Sequence, residues 1–194
     1  IYVGNDNSPE KPETLLKIYS SKLNITYKKF ENNLGGESLV KQWERCIELT
    51  KDEEWIMLLG DDDYLSDNVV SSFYDHYEKF NRKSNVVRFA SQMIYESTST
   101  KSRVYTHPVL EEAIDSHIRK FTGKSRSSLS EHIFNIKSYK KKGFINYPLA
   151  WYSDDKAWID FSENKPIYTI NSSLVYIRIS KESISGDTNN ISVK

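Results

Sequence analysis

The sequence predicts a single domain of the α/β class, a sheet sandwiched between helices. Three observations lead there. At 194 residues, 38% of them hydrophobic and 28% charged, the chain is long enough to bury one core of ordinary size. Its first half alternates short apolar runs with amphipathic stretches, the order expected when strands and helices take turns around a sheet. The run "WIMLL", Trp55 to Leu59, is apolar at every position, as a strand covered on both faces requires.

The elements follow in chain order. Ile1-Tyr2-Val3-Gly4 reads as the end of a buried strand that runs into the polar turn "NDNSPE". Pro12 suits the first turn of a helix, with Leu15, Leu16, Tyr19 and Leu23 at helical spacing behind it. Ile25 and Tyr27 alternate in a short strand. After the turn "NNLGG", residues 37–51 place Leu39, Trp43, Cys46 and Ile47 on one helical face, which makes Cys46 a core thiol. The strand at 55–59 follows, and then Ser66 or Asp67 caps a helix whose inner stripe is Val69, Val70, Phe73, Tyr77 and Phe80.

The second half is less regular. "NVVRFASQMIYES", "SRVYTHPV" and "HIFNI" read as strands, and "LEEAIDSHIRKF" as a helix from Leu110, Ala113, Ile114 and Ile118. A stretch with a glycine turn and a proline leads to the pair Asp154-Asp155, which opens a short helix toward Phe161. "PIYTI" and "LVYIRI" close the sheet. No internal repeat, low-complexity tract or linker divides the chain.

Composition narrows the function classes. The 27 basic and 27 acidic residues cancel, so no global field draws the chain to nucleic acid or to an anionic membrane, and binding must be local. One cysteine excludes an internal disulfide and fits a reducing compartment, which makes the cytoplasm the expected location. No apolar run approaches the ~20 residues of a membrane span. The 13% of aromatic residues includes rings that can stack on sugars or bases, although core packing is the commoner use of such side chains.

The chemistry concentrates at strand ends. In an open α/β sheet ligands bind beyond the carboxyl ends of strands, and both "NDNS" after Val3 and "GDDD" after Leu59 fall there. Three adjacent carboxylates at a partly covered strand end repel one another and lose solvation, which costs stability unless a cation or strong donors face them. Asp61, Asp62 and Asp63 can offer hard oxygen ligands to Mg²⁺ or Mn²⁺, ions that complete their shells with phosphate oxygens. Asp6 and Ser8 can meet ring N–H or hydroxyl groups, and together the two turns suggest a nucleotide diphosphate. A helix start is the competing reading, since free N–H groups favour carboxylates there. An EF-hand does not fit: counting from Asp61, Ser66 stands where glycine is needed and Ser72 where glutamate is. His76, His107, His117 and His132 are scattered without metal-ligand spacing and read as structural or exposed.

Five segments, "VGNDNS", "NNLGG", "WIMLLGDDDYLSD", "WYSDDKAW" and "YIRISKESIS", follow the order of the motifs of family 2 glycosyltransferases of the GT-A fold, which the chain resembles over nearly its whole length. The resemblance implies an α/β/α sandwich with a central mixed, mostly parallel sheet. It implies a nucleotide-binding part over about residues 1–66 and an acceptor and catalytic part over about 85–194. Asp6 then contacts the nucleotide base with Ser8 beside it, Asp61 lies near the donor ribose, and Asp62 is the metal ligand for Mg²⁺ or Mn²⁺. "SDD" resembles the family's late acidic motif, with Asp155 as catalytic base and Asp154 its neighbour. Such a base takes the proton of an acceptor hydroxyl in an inverting transfer that needs no enzyme nucleophile. Trp151, Tyr152 and Trp158 flank the pair and can stack on an acceptor sugar or fill the core.

Two departures from the family pattern stand out. Where many members carry a histidine near the last motif, Arg178 is followed by Ile179 and Ser180, so Arg178 or Lys181 is the candidate to meet phosphate. The family's first strand and helix precede its acidic turn, so the chain is expected to be a piece of a longer protein that lacks that strand, with sheet edges open to a second copy. The implied function is a metal-dependent inverting transfer from a nucleotide-sugar, a UDP-sugar for preference, to a glycan or lipid-linked glycan in cell-surface polysaccharide assembly. Nucleic acid is not an expected partner, and association with the inner face of the membrane is. A nucleotidyltransferase would need a glycine-rich basic phosphate loop, which is absent; a non-catalytic sugar-nucleotide module or an inactive fragment is the remaining alternative.

Overall fold

A computed structural model describes residues 1–180. In chain order the elements are β1 (Tyr2–Asn5), α1 (Glu13–Tyr19), β2 (Thr26–Lys29), α2 (Leu39–Ile47), β3 (Trp55–Met57), β4 (Tyr64–Leu65), α3 (Val69–Asp75), α4 (Tyr77–Phe80), β5 (Val86–Tyr95), β6 (Thr100–Lys101), β7 (Leu110–Glu111), α5 (Ala113–Phe121), β8 (His132–Asn135), α6 (Ile136–Lys142), a 3-10 turn at Pro148–Ala150, α7 (Ser153–Ser162) and β9 (Ile167–Ile179).

The main sheet runs in the order β3-β8-β5-β9-β4, with β6 beside β5 and β7 beside β9. Its two longest strands, β5 and β9, pair in parallel from Val87↔Tyr168 to Tyr95↔Ile179, with a bulge between Phe89 and Ala90. β1 and β2 form a parallel pair of their own. The other pairings described are antiparallel, so the sheet is mixed, as expected, with less parallel pairing than "mostly parallel" implies. β1 and β3 each have one ladder partner among the described residues.

Alternation along β5 splits the core into two layers. Val86 joins Phe134, Trp158, Phe161 and Ile167 under α2, α6 and α7. Val87 and Phe89 point the other way, to Val69, Phe73, Phe80, Ile170 and Val175 under α3 and α4. Helices on both faces of one sheet make an α/β/α sandwich. Phe134 anchors the first layer, its ring within 5.2 Å of Phe161 and 6.1 Å of Trp158. Burying one such ring stabilises by about 1.5–3 kcal/mol.

Several expectations are corrected. β3 stops at Met57 and one of its faces is only half covered: Trp55, in ring contact with Phe73 and Phe80, and Met57 line an open groove, and Leu59 is exposed. The long helix after it breaks at His76 into α3 and α4, and Val70 points outward. Its N-cap is Asn68; Ser66 bonds instead to Leu174 of β9 through its hydroxyl and its backbone N–H. In α5 only Ala113 of the expected stripe is buried, and Leu110 belongs to β7. "SRVYTHPV" forms no strand; Tyr105 makes one isolated bridge to Ser91, and Ser102, His107 and Val109 bond to β5 and β9. "YKKK" is part of an unforeseen helix, α6, while the two expected closing strands are one, β9. No helix among the described residues is long and apolar enough to cross a membrane.

Candidate active site

The "NDNS" turn is built around Asp6. Its carboxylate accepts the backbone N–H groups of Leu34 and Gly35, both at 2.8 Å, and pairs with Arg45 of α2. Two amides and a guanidinium occupy most of a carboxylate's acceptor sites, so Asp6 ties the "NNLGG" turn to β1. A Cβ on Gly35 would lie 2.6 Å from Asp6 Oδ2, which explains the glycine. Ser8 closes the turn: its N–H reaches Asn5 Oδ1 at 2.8 Å and its Oγ accepts from Glu10 at 3.2 Å.

At the exit of β3 the three aspartates diverge. Asp61 is exposed and Asp62 half-buried. Burial, and then the charge of Asp61, raise Asp62 above the ordinary carboxylate range, with Arg178 opposing. Asp63 turns inward, accepts the backbone N–H of Arg178 at 3.0 Å and a bond from Ser130, and burial pushes it up to about 6. Ser130 Oγ in turn accepts from Gly60 N–H at 3.2 Å. The Arg178 side chain is exposed and pairs with Glu96 at 2.9 Å, so its free approach to a phosphate is blunted in this state. Lys181 and the remainder of that motif lie outside the described residues.

The third acidic cluster opens α7. Asp155 is 4% exposed and forms an ion pair with Lys120 of α5. Asp154 is half-buried and held well above the usual carboxylate range, first by burial and then by Asp155, with Lys120 opposing. The residue before the helix, Tyr152, is left-handed at φ 63° and makes no cap bond. Leu149 and Ala150, at φ 53° and 57°, are left-handed too. Non-glycine residues held there cost of order 1–3 kcal/mol each, a strain that is concentrated at functional sites in general. Tyr152 is exposed, whereas Trp158 is buried and stacks on His132 at 4.3 Å.

One buried segment links the second and third clusters. Glu131, fully buried, pairs with Arg126 at 3.2 Å; burial would raise it, but Arg126, His132 and Ser128 outweigh that and hold it at about 2. Its charge helps to raise both Asp63 and Asp154. No bond or ion pair of this kind joins Asp6 to either cluster among the described residues. Sequence reading missed Lys120, Ser130, Glu131 and Arg126, which carry no motif and meet the site only through the fold. All four histidines fall outside the acidic clusters, and His107 and His132 are held neutral at about 3, chiefly by burial.

A divalent ion is the group that the sequence resemblance implies. Among the described residues no three His, Cys, Asp or Glu side chains converge as a metal cage. A single half-buried carboxylate of raised proton affinity fits an ion that takes one protein ligand and the rest of its shell from phosphate and water, as Mg²⁺ does.

No protein-family model and no curated protein matches the chain. Solved structures do. S. aureus TarS 1-349 in complex with UDP-GlcNAc superposes with a TM-score of 0.72 at 14% identity, over 96% of this chain and 51% of that one. TarS 1-349 alone gives 0.69 at 15% identity, over 91% and 50%. Its complex with UDP gives 0.67 at 16%, over 93% and 51%. The chain therefore shares the fold of these TarS structures. The chain spans about half the length of these TarS 1-349 structures.

Proposed function

We propose that the chain carries the donor and catalytic machinery of a metal-dependent, inverting family 2 glycosyltransferase acting on a nucleotide-sugar, a UDP-sugar for preference. The observation that supports it most is the division of labour in "GDDD": Asp63 is consumed in fixing the loop, which leaves Asp62 half-buried and in need of a cation. The TarS complexes with UDP and UDP-GlcNAc, on the same fold, support the choice of donor.

In this reading Asp62 holds Mg²⁺ or Mn²⁺ and Asp61 meets the ribose. Asp6 and Ser8 shape the base pocket, with Asp6 acting through the turn it pins. The ion supplies charge stabilisation to the departing diphosphate. The acceptor oxygen forms its bond to the anomeric carbon from the face opposite the nucleotide, its proton goes to the Asp154–Asp155 pair with Asp155 as base, and the bond to the diphosphate breaks with its electron pair. Tyr152, exposed beside the pair, is placed to meet the acceptor. The acceptor proposed is a glycan or lipid-linked glycan, reached at the cytoplasmic face of a membrane. The single ladder partners of β1 and β3 leave edges through which two copies can pair.

Titration calorimetry with UDP tests the core of this. Binding is expected with Mn²⁺ and lost in Asp62→Ala; metal-independent binding, or binding unchanged in the variant, removes Asp62 from the site. Hydrolysis or transfer of a UDP-sugar separates an enzyme from a non-catalytic module.

A further inference from the structure

Two aspartates adjacent in sequence open α7, Asp154 half-buried and Asp155 buried. The Asp155 side chain is 3% exposed, and ionising a carboxylate that deep is costly without a partner. The partner comes from α5, thirty-five positions earlier in the sequence: Lys120 Nζ donates to Asp155 Oδ2. The same ammonium lies 5.8 Å from the centroid of the Tyr152 ring, on the solvent side of the pair.

Lys120 is held in place by a buried frame. Arg119, the preceding residue, donates to both oxygens of Glu111 at 2.5 and 2.9 Å. Glu111 also accepts from Arg88 at 2.8 Å, and Arg88, with no exposed surface, donates to Ser116 of α5 at 2.5 Å and to Thr169 of β9 at 3.1 Å. That frame fixes the last turn of α5 against the sheet, so the ammonium is delivered to α7 from a rigid support. The remaining charged groups around the pair are Glu131, whose charge adds to the repulsion, His132, neutral at about 3, and Lys156 of α7, which is engaged with Asp160.

We infer that Lys120 is a positioning residue: its ammonium fixes the Asp155 carboxylate at the start of α7 and offsets part of the repulsion between Asp155 and Asp154. The inference rests on the reading of this pair as the proton acceptor, and it adds the cation on which that role depends.

A carbon-detected NMR titration of the aspartate carboxyls in this chain tests it without donor or turnover. In Lys120→Met the proton uptake of the pair is expected to move up by about 1–3 pH units, the usual effect of losing an opposite charge at contact distance. In Lys120→Arg it returns close to the parent. An unchanged titration in Lys120→Met overturns the inference. Should that variant fail to fold, the ammonium resonance of Lys120 decides: it is expected to lose its protection in Asp155→Asn and keep it in Asp154→Asn, and protection retained in Asp155→Asn overturns the assignment. Absence of UDP binding would sink the transferase reading and leave these titrations untouched. Where turnover is measurable, the acid limb of kcat shifts upward in Lys120→Met with donor affinity unchanged.

Discussion

The carboxylate of Asp63 accepts the backbone N–H of Arg178 at 3.0 Å, which joins the acidic loop after β3 to the end of β9, on the far side of the sheet. With Ser130 as its second donor, Asp63 is an inward clamp, and its neighbour Asp62 is presented outward by it.

Asp63→Ala leaves the Arg178 N–H and the Ser130 hydroxyl without their acceptor. Urea unfolding is expected to show a loss of about 1–3 kcal/mol, while Asp62→Ala stays within about 0.5 kcal/mol of the parent. Equal losses would mean that the two carboxylates share the structural task.

The pH profile of stability follows from two opposed sets of groups. Buried His107 and His132 stay neutral to about 3, so their unfolded forms take up protons that the native rings refuse, and stability falls as pH drops from 6.5 toward 3. Asp63, at about 6, binds a native proton that the unfolded side chain releases at 3.8, so its contribution is lost as pH rises from 3.8 through 6; Asp154 acts in the same sense. The two sets oppose one another over roughly pH 4–6, with Asp62 adding to the second, so the melting temperature there should vary less than the histidines alone would make it. Below that range Glu131, held at about 2, adds to the loss. Asp63→Asn removes one opposing group, so its melting temperature should climb more with rising pH over that range than that of the parent.

Asp6 is bonded to the turn at Gly35. If it shapes the base pocket by pinning that turn, Gly35→Ala, which inserts a Cβ 2.6 Å from the Asp6 carboxylate, should weaken UDP binding about as much as Asp6→Asn does. Full affinity in Gly35→Ala with loss in Asp6→Asn would point to direct contact between Asp6 and the base.

A Cβ on Gly60 would lie 3.0 Å from Asp62 Oδ1. Gly60→Ala is therefore expected to raise the Mn²⁺ concentration needed for half-maximal UDP binding several-fold, while thermal stability changes little. Calorimetry at graded Mn²⁺ reads this out.

For the acidic pair, Asp155→Asn should cut kcat by at least about 100-fold, the low end of general-base contributions, with the Kd of UDP unchanged. A comparable loss in Asp154→Asn alone moves the base by one position.

The parts of this molecule that were legible in sequence are those governed by short-range pattern. Alternation at Ile25 and Tyr27 announced β2, and the polar turns after Val3 and Leu59 marked strand exits, because period and punctuation are local properties. What the sequence hid depends on distant partners. Lys120 sits in an ordinary amphipathic stretch until α5 is packed beside α7, and Ser130 until β8 is paired with β3. The outward turn of Val70, Ile114 and Ile118 was equally hidden: an apolar stripe specifies a face, and only the tertiary arrangement decides how wide that face is. Leu149, Ala150 and Tyr152 belong to residue types that give no warning of a left-handed backbone.

The separation of β1 and β2 from the main sheet predicts an uneven response to deuterium. This two-stranded ladder has four residue pairs, the helix that connects its strands, α1, buries none of its residues, and its ties to the rest include one exposed bond from Tyr2 to Glu53 at 2.6 Å and the packing of α2. Such a unit opens without disturbing the long β5/β9 ladder. Amides of residues 1–30 should therefore exchange through a subglobal opening, well ahead of those of β5, and a nucleotide that braces the Asp6 turn should slow the former while leaving the latter as they were.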